Sequence, residues 1–126
     1  LYDQASKLEL LSEINFIFIK AICDYLQINT EISLSTKYEL VEGRTQRLID
    51  LCLQANASHY ISGPSAKSYI DENLFTDNAI ELEWMDYSGY EEYEQLYLGF
   101  DHRVSILDLI FNEGKNARTF FKSNFN

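Results

Sequence analysis

The sequence predicts an α/β fold, a small, mostly parallel sheet flanked by helices. Two observations carry this. Residues 30–35 (TEISLS) and 80–84 (IELEW) alternate with a period of two, as strands do. Between them, residues 45–55 repeat their apolar positions at three and four, as helices do. Strands that alternate with helices build parallel sheets. Three short strands would make an incomplete three-layer Rossmann-like unit.

Each element has its own signal. Residues 4–27 read as one long helix, with Leu11, Ile14, Phe18, Ile22 and Tyr25 at helical spacing. Phe16, Ile17 and Ile19 widen that stripe, which predicts burial on more than one side. Asn15 falls on its apolar side. The stretch 30–35 reads as a strand and 37–43 as a connection. The helix over 45–55 places Leu48, Leu51, Cys52 and Ala55 on one face. Residues 59–62 read as a short strand. A helix is predicted from Pro64 to about Phe75, because proline suits a first helical turn. In 80–84, Ile80, Leu82 and Trp84 face one way and Glu81 and Glu83 the other, so one face of that strand is wet. Residues 86–100 form an acidic, tyrosine-rich loop. Residues 105–112 form a last helix, stopped by Gly114. One domain is expected over 1–114, with a largely polar tail over 115–126 that carries Phe120, Phe121 and Phe125.

Charge narrows the function. The formal net charge of -10 argues against nucleic acid, whose phosphates need a basic footprint, and against an anionic membrane surface. The most apolar stretch, 8–26, contains Glu9, Glu13, Lys20 and Asp24, so it does not read as a membrane span. Cys23 and Cys52 sit in apolar helical patterns and read as buried free thiols, which suits a reducing cytoplasm. His59 and His102 lack ligand spacing, so no metal is expected, and no cofactor signature is read. The chain opens at Leu1 and reads as part of something longer.

Four groups of residues invite chemistry, each beside a plainer role. Ser62, Gly63 and Ser65, with Lys67 one turn on, would cradle a phosphate at a helix start, or would simply cap that helix. Arg44 and Arg47 open the second helix, where cations oppose its dipole. Either Glu42 and Asp50 compensate them, or they share an anion with the Gly63 turn. Ser105 and Asp108 have the spacing of a capping box, and Asp108 is the alternative candidate for a catalytic base. Tyr87, Tyr90, Tyr93 and Tyr97 either stack on a sugar or base, or pack over the domain.

Two runs carry a resemblance. The first is Tyr60, Ser62, Gly63, Tyr69 and Asp71. The second is Tyr93 and Gln95, followed by Ser105, Asp108, Phe111, Asn112 and Gly114. Together they resemble the WbqC-like family, with Val104 in place of the usual leucine. Asn15 matches the family's L-x-E-x-N helix. The resemblance implies a bacterial protein encoded among surface-polysaccharide genes such as those for O-antigen. It also implies a longer family protein, of which this is the C-terminal part. The expected partner is a phosphorylated or nucleotide-linked amino sugar, and the expected activity is a transferase. The alternative is a non-catalytic assembly module. Tyr69, Gln95 and Ser105 join the ligand-binding candidates through the family motif, and Arg47 through its place near the turn. An open sheet edge would pair with the missing N-terminal half or with a second copy.

Overall fold

The structure, a computed structural model, describes residues 1–122. Phe125, expected in the tail, lies outside the described residues. The elements in order are α1 (Tyr2–Ala5), α2 (Leu11–Tyr25), α3 (Arg44–Gln54), β1 (His59–Ser62), α4 (Glu72–Asp77), β2 (Glu81–Trp84) and α5 (Ile106–Glu113). Three 3₁₀ turns, Ser35–Lys37, Pro64–Ser68 and Gly114–Phe120, lie among them. The chain divides into two compact units, Ser33–Ser88 and Leu1–Ile32 with Gly89–Asn126.

The Ser33–Ser88 unit holds the sheet. β1 and β2 run parallel, with Tyr60 opposite Leu82 and Ser62 opposite Trp84. A parallel pair needs a crossover, and the Pro64–Ser68 turn and α4 supply it. Leu82 and Trp84 are half-buried while Glu81 and Glu83 are exposed, as the alternation predicts. Ile49, Cys52, Ala66, Ile70, Phe75 and Ile80 form the core, with Phe75 and Ile49 fully enclosed. Tyr60 stacks on Phe75 with ring centroids 5.3 Å apart. α3 buries Thr45, Ile49 and Cys52 and leaves Ala55 exposed, so its inward face is turned from the predicted one.

Two expectations about the segments that lead into and cross this unit fail. Residues 30–35 form no strand, and the chain turns at Ser35–Lys37. Alternation gives strand propensity, but a strand also needs a neighbour to complete its ladder. Further on, the Glu39 backbone pairs with a side chain instead. Its N–H donates to Gln54 Oε1 at 2.9 Å, and its carbonyl accepts from Gln54 Nε2 at 2.8 Å. The sheet among the described residues therefore has two strands. The predicted helix from Pro64 to Phe75 is also two pieces. It breaks at Tyr69, where φ is -138°, and restarts at α4, whose first turn Asp71 caps by accepting from the Asn73 N–H at 3.1 Å.

The other unit is helical. Leu26, Leu109 and Ala117 form its core, with Ile22, Ile28, Tyr93, Ile106, Ile110, Phe120 and Phe121 packed around them. The single helix expected over 4–27 is split. α1 ends at Ser6, whose hydroxyl donates back to the Asp3 carbonyl and competes with the helical ladder. α2 buries no residue completely, against the expectation of burial on several sides; Leu11 is 70% exposed, and Asn15 faces solvent. It ends where Gln27 takes φ 56°, and the Ile28 N–H closes on the Cys23 carbonyl at 2.8 Å. Ser105 starts α5 by accepting from the Leu107 N–H at 3.3 Å, and Gly114 stops it at φ 56°. The Gly114–Phe120 turn then folds back, so the expected tail is partly core.

Candidate functional site

In the helical unit, Asp108 sits one turn into α5, where the helix dipole favours a negative charge. Its carboxylate turns away from the box expected with Ser105. Asp108 Oδ2 accepts from the Tyr93 hydroxyl at 2.7 Å and from Gln95 Nε2 at 3.0 Å. Ser105 caps the helix without reciprocation. Burial pushes the Tyr93 phenol above its ordinary value, and the bond to Asp108 adds to the rise. Tyr93 therefore stays a proton donor at neutral pH.

Gln95 is itself fixed. Its Oε1 accepts from the Asp101 N–H at 2.9 Å, and its Nε2 donates to the Asp101 carbonyl at 3.1 Å. This closes residues 95–101 into a loop. Phe100 packs edge-on against Tyr93 at 5.0 Å between centroids, and Phe120 does so at 5.6 Å. A pocket of about 330 Å³ opens here, lined by residues 93–100. Of the tyrosines in the acidic loop, Tyr93 packs inward while Tyr97 is 81% exposed.

In the sheet unit, the Gly63 turn does not have the form expected of an anion cradle. Pro64–Ser68 is a single five-residue 3₁₀ turn, too short for much dipole. Gly63 has an ordinary extended backbone, and a Cβ there would meet Tyr87 Oη at 3.5 Å, an acceptable contact. Ser62 is buried, the Ser65 carbonyl accepts from the Ser68 hydroxyl, and Lys67 Nζ lies 5.3 Å from the centre of the Trp84 ring.

Arg47 and Tyr69 instead meet at a second pocket, with Arg44. Gly43, Arg44, Arg47, Leu48 and Tyr69 line a space of about 440 Å³ at the start of α3. No side chain caps this helix, and Gly43 precedes it at φ 100°, a conformation that favours glycine. Arg47 Nε donates to the Val41 carbonyl at 2.9 Å, and the Arg44 guanidinium lies 5.7 Å from the centre of the Tyr69 ring. Asp50, the expected partner of Arg47, accepts from Gln46 instead.

The sequence candidates thus fall into three places. Asp108 and Gln95 share a cluster, with Ser105 at the start of the same helix. Arg47 and Tyr69 share a pocket. Ser62, Gly63, Ser65 and Lys67 stay at their own turn. Sequence reasoning missed Tyr93 as the partner of Asp108; it singled out Arg44 together with Arg47, but Tyr69 rather than the Gly63 turn shares their pocket. The Tyr-x-Gln spacing was the available signal, since alternate residues of an extended segment point the same way.

Comparison with known proteins agrees with the motifs. The model of the WbqC-like protein family matches residues 1–120. An uncharacterized protein of Mycobacterium tuberculosis, Rv1507c, is 49% identical over 112 residues, which cover 89% of this chain and 48% of that protein. The chain therefore spans about half the length of the curated relative it matches. No solved structure matches significantly. Among the described residues, no helix is long and apolar enough to cross a membrane. On the match over nearly its whole length, the chain belongs to the WbqC-like protein family.

Proposed function

We propose that this chain is a transferase-type enzyme, or the C-terminal half of one, acting on a phosphorylated or nucleotide-linked amino sugar in bacterial surface-polysaccharide biosynthesis. The carrying observation is the Tyr93–Asp108–Gln95 cluster beside the 93–100 pocket. Both donors hold the same carboxylate oxygen, Oδ2, which fixes the group, and Tyr93 and Gln95 themselves line the pocket. An oriented carboxylate of this kind accepts a proton. In acyl or aminoacyl transfer, Asp108 takes the proton from the sugar amine as the new C–N bond forms, and the donor's leaving group departs with the electrons of the bond that breaks. Exposed rings such as Tyr97 offer the sugar a stacking face.

The test is turnover of UDP-glucosamine with acyl-thioester and aminoacyl donors, read by mass spectrometry. The expected result is an acylated sugar nucleotide with wild type and a loss of about a hundredfold or more with Asp108→Asn. Equal turnover by a folded Asp108→Asn protein removes Asp108 from catalysis. A second reading, a non-catalytic assembly module, draws support from Leu96, Leu98 and Phe111, all at least 80% exposed.

A further inference from the structure

We propose that the pocket formed by Arg44, Arg47 and Tyr69 binds the phosphate or diphosphate group of a phosphorylated ligand. This relocates the anion site from the Gly63 turn. It rests on the sugar-phosphate reading only for the source of the ligand.

The charge inventory comes first. Acidic residues outnumber Lys and Arg by 20 to 10. A cation in such a chain has carboxylates to choose from. Yet neither Arg44 nor Arg47 pairs with one among the described residues, and Asp50, one of the two expected partners, accepts from Gln46. Both guanidiniums also sit at the start of α3, where the helix dipole opposes them. Two cations without a carboxylate partner at one pocket are an arrangement that an anion would relieve.

Geometry gives the class of anion. Arg47 spends its Nε on the Val41 carbonyl, which fixes the guanidinium and leaves its Nη donors for a forked contact. Forked donors match phosphate oxygens, and two guanidiniums match a dianion or a diphosphate better than a single carboxylate. The walls are tied together. The Asp71 N–H donates to Thr45 Oγ1 at 3.2 Å, and Ile70 is buried, so the segment carrying Tyr69 is held against the start of α3. Tyr69 is 49% exposed and, with Leu48, gives an apolar wall for a sugar or base attached to the phosphate. The volume of about 440 Å³ falls in the ordinary range of ligand pockets.

Calorimetric titration with inorganic pyrophosphate tests this, with sodium acetate as the competing anion. The expected result is one pyrophosphate per chain, no acetate binding, and affinity that falls as salt rises. Arg44→Gln and Arg47→Gln should each weaken binding by about tenfold, one hydrogen-bonded charge each. Arg47→Lys keeps the charge and loses the fork, so it should also weaken binding, and it covers the case in which Arg47→Gln fails to fold. Lys115→Gln should bind as wild type does. Without ligand, Arg44→Gln should melt close to wild type, because relief at the helix start offsets the lost contact with the Tyr69 ring. Unchanged pyrophosphate affinity in the arginine variants, equal binding of acetate, or no binding by wild type overturns the proposal. Asp108→Asn separates the two readings. Intact pyrophosphate binding with lost turnover supports both. Absent pyrophosphate binding with turnover that still depends on Asp108 removes this site alone.

Discussion

Removing the Asp108 carboxylate should unsettle the helical unit by a predictable amount. Asp108→Ala deletes the shared acceptor of the Tyr93 hydroxyl and Gln95 Nε2, both part-buried. Hydrogen bonds to a charged group contribute about 1.5–3 kcal/mol each. The two donors share one oxygen and water reaches the cluster, so the combined loss is about 2–4 kcal/mol. Asp108→Asn keeps an amide oxygen for both donors and loses the charge, including its interaction with the helix dipole, for about 1–2 kcal/mol. A double-mutant cycle with Tyr93→Phe isolates the 2.7 Å bond, with an expected coupling of about 1–2 kcal/mol. The probe must lie in the right unit. The single tryptophan, Trp84, reports the sheet unit, so hydrogen exchange of the α5 amides is the suitable readout. A coupling below about 0.5 kcal/mol would refute the reasoning, because two sites that do not interact add within that range.

Three further outcomes follow from burial. Phe75→Ala removes a fully enclosed ring from the sheet-unit core and should cost about 3–5 kcal/mol, read by Trp84 fluorescence in urea. Cys23 should react with a thiol reagent well before Cys52, which is buried and whose thiol burial pushes up; faster labelling of Cys52 would contradict this packing. Alkali should unfold the protein. Burial raises the Tyr60 and Tyr93 phenols and the Cys52 thiol, so the folded state keeps these protons longer than the unfolded chain. Their stabilisation is complete below the ordinary thiol and phenol ranges, about 8.5 and 10, and is lost as pH rises through the raised folded-state values. Urea midpoints from pH 7 to 11 would show it, and a flat profile would contradict it.

Much of the fold was legible because local pattern and packing agree. IELEW alternates as the β2 face requires, and Ser105 and Gly114 bracket α5 where capping chemistry places them. The failures have physical causes. Residues 30–35 have strand propensity but no neighbouring ladder. The break at Tyr69 could not be read from Pro64, because Asp71 opens a new helix and its N–H is taken by Thr45 across the fold. The candidate site was legible in composition more than in arrangement. Asp108 and Gln95 stood out by motif, but their meeting through one carboxylate oxygen depends on the closed 95–101 loop, which has no periodicity. Arg44 and Arg47 stood out as charges on the wrong end of a helix, and the pocket they line with Tyr69 depends on the Ile70–Asp71 segment being held against α3, which no local pattern shows.

The central claim is that an amino-sugar ligand meets the Asp108 cluster, and an NMR titration with UDP-glucosamine tests it most directly. The account predicts saturable shifts at the backbone amides of Tyr93, Gln95 and Asp108 in the wild-type chain, reduced in Asp108→Asn. Saturation that leaves those three amides unmoved, or no saturation at millimolar ligand, would contradict it.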